Sequence, residues 1–148
     1  MTMTGLDVFD RAIHKSNDWL KDIMFELNWE DRHRAYLALR AVLHALRDRL
    51  SVAESAQLAA QLPLLIRGVY YDGWTPAGKP VKERRKEEFL KHIREEFRDG
   101  DIDAEQVTRA IFKMLAHRIS QGEIHDIKQI LPKELAELWP HAPGKVRD

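Results

Sequence analysis

The chain has 148 residues and carries 24 Lys and Arg against 24 Asp and Glu, so its formal charge is zero. With 44% hydrophobic and 32% charged residues it is not a disordered tail, and it is not the basic domain that makes the simplest nucleic-acid binder. It has no cysteine, which excludes a disulfide framework, a thiolate zinc site and a Cys nucleophile.

The length fits one ordinary domain or two very small ones, enough to bury about 70% of the unfolded chain's surface. The start, Met1 to Asp7, lacks a basic region followed by an apolar run, so no signal peptide is expected. The longest near-apolar stretch, Leu58 to Ile66, contains a Gln and a Pro and is far below membrane-spanning length. These features predict a soluble, cytoplasmic protein.

Spacing predicts helices throughout. Leu6, Phe9, Ile13, Leu20, Ile23 and Leu27 mark a first stripe, interrupted at Ser16-Asn17. Tyr36, Leu39, Leu43, Leu46 and Leu50 recur at threes and fours, one face of a second helix. Ser51-Val52-Ala53-Glu54 reads as a capping box, with the Ser hydroxyl accepting a backbone N–H and the Glu reaching back. The third helix it opens should run to about Gln61. Pro63 suits the first turn of a fourth, where its missing N–H has no cost. Two Gly and two Pro make residues 72–80 a loop. The opposite charges of Lys82 to Glu88 suit the exposed first turn of the next helix. Phe89, Ile93 and Phe97 continue that helix. Asp103 resembles the cap of another, bearing Val107, Ile111, Met114 and Leu115. Ser120-Gln121-Gly122-Glu123 reads as a second capping box, and Leu131-Pro132 starts a last helix that stops at Trp139-Pro140. The tail, 141–148, is expected to fray.

The chain matches itself. Arg40 to Ser51 lies over Arg109 to Ser120 at an offset of 69, at which Glu54 meets Glu123, Leu62-Pro63 meets Leu131-Pro132, and Tyr70 meets Trp139. The expectation is a single all-α domain, a bundle of about eight helices. It would be built from two similar four-helix copies, about 6–72 and 81–140. Two copies are too few for a solenoid.

Five strings in the chain, Arg34-Ala35-Tyr36, Leu39 to Leu50, Ala60-Gln61-Leu62-Pro63, Arg67 to Trp74 and Gly122-Glu123-Ile124, resemble a bacterial and archaeal family catalogued as domain of unknown function 2267. The resemblance covers Leu6 to Pro140. It implies a small, helical, cytoplasmic protein and brings no catalytic residues.

Candidate sites come from the residues. Seven His include a single Glu-x-x-His, Glu30 to His33, where a di-iron bundle needs two. His125 stands two residues from Glu123, which splays the pair on a helix. The histidines read as solvated or capping groups, with no metal or cofactor implied. Arg40, His44, Arg47 and Asp48 project from one side of the second helix. They form either an interhelical network, the favoured reading, or an anion or small-ligand pocket able to do acid–base work. Arg67, Tyr70, Tyr71 and Trp74 bring three aromatics and an Arg to a helix end and loop, the residue types of binding hot spots. Bases from Lys79 to Lys86 follow, but residues 73–88 hold five bases against three acids. Nucleic-acid association is therefore the weaker alternative. Ser51 and Ser120 read as caps, and no nucleophile elbow is present. The leading reading is a non-enzymatic interaction module that presents its inter-repeat surface to a protein partner or to itself.

Overall fold

The computed structural model describes residues 3–141; most of the 141–148 tail lies outside them. Eight helices follow in order: α1 (Asp7–Leu27), α2 (Arg32–Arg47), α3 (Val52–Ala59), α4 (Leu64–Tyr71), α5 (Lys86–Glu96), α6 (Ala104–Arg118), α7 (Gln121–Ile130) and α8 (Lys133–Ala136). Among the described residues there is no strand, and no helix is long and apolar enough to cross a membrane.

The caps account for the boundaries. Asp31 opens α2 and Asp103 opens α6, each carboxylate accepting the backbone N–H three residues on. Asn28 closes α1 in the left-handed region at φ 56°, which Asn tolerates better than most residues. Ser51 and Glu54 form the complete capping box expected before α3. The second box is only half made. Ser120 Oγ accepts the Glu123 N–H, but the Ser120 N–H donates to Gln61 Oε1 at 3.2 Å. A side chain 59 positions away has taken the donor that Glu123 was expected to satisfy. Pro63 and Pro132 are N-caps of α4 and α8, one position earlier than expected for Pro63. Helix α8 is a single turn, not the run to Trp139. Beyond it, the Leu138 and Trp139 N–H groups close tighter bonds on Leu135 and Ala136.

Helix α2 is the centre of the bundle. Helices α1, α4, α5 and α6 pack around it, so Ala41 to Arg47 are buried without a break rather than along one face. Helix α6 packs against α1, α2 and α5 and buries Ile111, Phe112 and Leu115. The Trp139 ring stacks on Phe112 at 3.9 Å. Tyr70 is fully buried and donates its hydroxyl to the Ser55 carbonyl at 3.1 Å.

The first helix departs from its expected stripe. Ser16 does not interrupt the buried face but belongs to it, with Trp19, Ile23 and Leu27; its hydroxyl is satisfied by the Ala12 carbonyl at 2.9 Å. Leu6 and Phe9 are half-exposed, and Ser16 is the first fully buried residue of α1. Residues 82–85 also depart from expectation and are not helical. The Val81 N–H donates to the Asp48 carbonyl, and Glu83 is drawn onto Arg49 and His92.

Candidate functional site

The polar face of α2 meets the C-terminal end of α4. A helix leaves its last carbonyls without intrahelical donors, and in α4 these are supplied by α2. His44 Nε2 lies 2.7 Å from the Val69 carbonyl. Arg47 Nη1 donates to the carbonyls of Tyr70 and Asp72, both at 2.8 Å. Two basic side chains at the negative end of α4 also complement its dipole. Arg67 does the same one element earlier, donating to the carbonyls of Ala59 and Leu62 at the end of α3.

Helix α5 completes the network from the other side. Glu96 reaches His44 Nδ1 at 2.6 Å and Arg40 Nε at 3.6 Å. Both His44 ring nitrogens thus face acceptors. Arg40 also binds Asp72 at 2.6 Å. The Asp72 carboxylate raises the Arg40 guanidinium above its ordinary value, and Arg40 holds Asp72 below the usual carboxylate range. Asp48 pairs with Arg47 at 3.0 Å. Burial pushes the Tyr70 hydroxyl up.

A cavity of about 320 Å³ opens beside this network, lined by His44, Asp48, Arg49, His92, Glu96 and Arg98 among others. Arg40 and Arg47 do not line it. Arg49 is buried and stands over the Phe89 ring at 5.2 Å. Burial lowers the Arg49 guanidinium below its ordinary value, against the opposing pull of Glu83.

The eight residues singled out by sequence therefore gather around α2, α4 and the following loop, mostly facing inward. Arg67, Arg47 and His44 tie backbone carbonyls, and Tyr70 is core. Tyr71 and Trp74 are half-buried and pack on each other with ring centroids 5.3 Å apart. Trp74 is neither sealed in the core nor projecting, and its indole N–H meets no acceptor among the described residues.

A second concavity lies elsewhere. An open groove of about 1620 Å³ runs between α1, the α3–α4 connection, the end of α6 and α7. The apolar residues beneath it, Trp19, Leu62, Met114 and Ile124, are buried, and Phe25 stands at its rim 85% exposed. Four bases line it, Lys15, Lys113, Arg118 and Lys128, against two acids, Asp22 and Glu26, with His117, His125 and His141 alongside. Arg118 pairs with Asp22 and Lys113 with Glu26. The basic surplus is notable in a chain whose net charge is zero. Sequence spacing passed over Phe25, although a signal was there. It falls two positions from both Ile23 and Leu27, off the buried stripe, where an amphipathic helix has polar residues.

Residues 16–138 match the family described as Uncharacterized conserved protein (DUF2267). The chain belongs to that family. No curated protein matches it. The DUF2267 match covers the α2–α4 network and most of the groove, but begins after the exposed first turns of α1.

Proposed function

We propose that the chain is a non-enzymatic interaction module, built from two related four-helix units, that receives a protein partner in the groove between them. The observation that carries the reading is Phe25, a large aromatic 85% exposed at the rim of an open, apolar-lined groove. Among the exposed large hydrophobics of the described residues, Phe25 alone lines the groove, and exposed apolar surface rimmed by polar groups is a mark of partner binding. Several of the polar groups singled out by sequence are otherwise engaged. His44 and Arg47 satisfy the end of α4, Tyr70 donates to Ser55, and Ser51 and Ser120 are caps.

Two patterns support the pair of related units. Helix α2 packs on α5 as α6 packs on α1, and α1 packs on α4 as α5 packs on α8, while α2 meets α6 and α3 meets α7. These packings are reciprocal, as in a two-fold pair, whereas the α2–α4 packing has no equally close α6–α8 counterpart and the α7–α8 packing no equally close α3–α4 one. Arg40 and Arg109, aligned at the offset of 69, each reach the end of the last helix of their unit, at Asp72 after α4 and Glu137 after α8. A nucleic-acid role for Lys79 to Lys86 has less support, since Glu83 interrupts the bases, Glu87 and Glu88 follow them, and Lys86 pairs with Glu105.

The test is selection of displayed peptides against the full chain. Binders are expected to lose affinity at least about tenfold against Phe25→Glu, with the fold of that variant checked by circular dichroism. Recovery of no binders, or only of binders indifferent to Phe25→Glu and Lys113→Glu, would remove the groove reading.

A further inference from the structure

We propose that His44 is a proton-operated latch. It clamps the ends of α4 and α5 onto α2 while the His44–Glu96 pair holds an extra proton, and it releases one of them when that proton leaves. The device is independent of the groove and of what binds there.

The geometry carries it. The His44 side chain is 6% exposed, on the helix that α1, α4, α5 and α6 surround. Nε2 stands 2.7 Å from the Val69 carbonyl of α4, and Nδ1 stands 2.6 Å from the Glu96 carboxylate of α5. A carbonyl or an ionised carboxylate oxygen only accepts, and a neutral imidazole has a single N–H. One ring proton therefore serves one side and leaves lone pair against lone pair at the other. Shifting the tautomer moves the fault from one nitrogen to the other without removing it. A second proton removes it, whether it sits on the ring or on Glu96, which then donates to Nδ1. Without that proton a buried polar contact stays unmade, which a low-dielectric interior makes costly, and α4 or α5 must draw back.

The surrounding charges offset one another. On α2, Arg40 and Arg47 oppose a charge on the ring and Asp48 favours one. From α5, Glu96 touches the ring, while His92, Glu95 and Arg98 face the adjoining cavity together with Arg49, which Glu83 holds. After α4 stands Asp72, paired with Arg40. Among the described residues no hydrogen bond or ion pair reaches the ring from α1 or α6. The two direct acceptors therefore decide. At the offset of 69, Lys113 takes the place of His44, 63% exposed and paired with Glu26, so the latch occurs once.

Native-state hydrogen exchange on the full chain, from about pH 5.5 to about pH 9, spans the range in which histidine titrates and tests the inference. The closed latch holds one more proton than the open one, so its contribution is present at lower pH and lost as pH rises. One linked proton changes the opening equilibrium by up to about tenfold per pH unit. Protection in the last turn of α4 or of α5, corrected for intrinsic rates, should fall with that slope. NMR of the His44 ring and the Glu96 carboxylate should show the pair losing a proton over the same interval. Glu96→Gln should flatten the profile and keep protection at high pH, because a Gln amide N–H donates to Nδ1 of the neutral ring. His44→Gln should flatten it at low protection throughout, and where that variant does not fold the Glu96→Gln chain decides. Protection independent of pH in the parent chain, or a Glu96→Gln chain that keeps the parent's slope or is unprotected at every pH, would overturn the proposal. So would protection that falls while the pair keeps its proton.

Discussion

Replacing Arg47 by Met separates a structural role for the α2 polar face from a ligand-binding one. The Arg47 side chain is 7% exposed, and Nη1 bridges the carbonyls of Tyr70 and Asp72 at 2.8 Å each. Met keeps much of the apolar stem and removes the donors. Leaving a buried carbonyl unsatisfied costs about 1–3 kcal/mol. The Tyr70 carbonyl bond is buried and that to Asp72 only partly so, which places the second at the low end of that range. Losing the cation also removes its desolvation cost, which offsets part of the damage. The net expectation is a loss of about 2–4 kcal/mol, a large share of the 5–15 kcal/mol typical of a domain. For a chain of this size the melting point should fall by about 5–15 °C. Urea denaturation followed at 222 nm measures the change, and native-state hydrogen exchange should show early loss of protection in α4. Arg40→Met is the control. Its side chain is 28% exposed and its partner Asp72 62% exposed, so it should cost no more than about 1 kcal/mol. A loss below about 0.5 kcal/mol for Arg47→Met would refute the carbonyl-tying role and return weight to a pocket.

Ser51→Ala should cost about 1 kcal/mol, within the usual cap range, and Ser120→Ala less, because Ser120 caps without the return bond from Glu123; equal losses in urea melts would contradict this. Asp72 is held below the usual carboxylate range by Arg40, so its contribution is present above the unfolded value and is lost as pH falls through the folded one. Asp72→Asn should therefore lessen the loss of stability on acidification, measured as melting point against pH. Glu123 has the opposite sign: burial raises it, so it weakens the fold above its folded value and Glu123→Gln should raise the neutral-pH melting point. Residues 1–72 alone lack Glu96 and the α5 and α6 faces that cover α2, and should not melt cooperatively as a monomer; a sharp monomeric transition near that of the full chain would show that the first four helices need no partner.

What was legible in the sequence was local. Helix periodicity depends on neighbours three and four apart, and caps on residues three apart, so the helices and the Ser51, Asp103 and Ser120 caps could be read directly. Their competition with distant groups could not. Only the folded chain brings Gln61 to the Ser120 N–H, draws Glu83 away from a helical turn to Arg49, and encloses α2 so that seven consecutive residues are buried. Sequence placed Arg40, His44, Arg47 and Asp48 on one side of a helix. It did not show that the acceptors awaiting His44 and Arg47 are the unpaired carbonyls of α4, 23 to 25 positions later. Nor did it show a groove, because α1, α6 and α7 approach one another only through tertiary packing. Composition and periodicity thus determined an all-helical, cysteine-free bundle of zero net charge, since those properties are carried by single residues and their near neighbours. Which polar groups are consumed within the fold, and which apolar ones are left facing solvent, was decided by the tertiary structure, because exposure belongs to the assembled surfaces of several helices and not to any one of them.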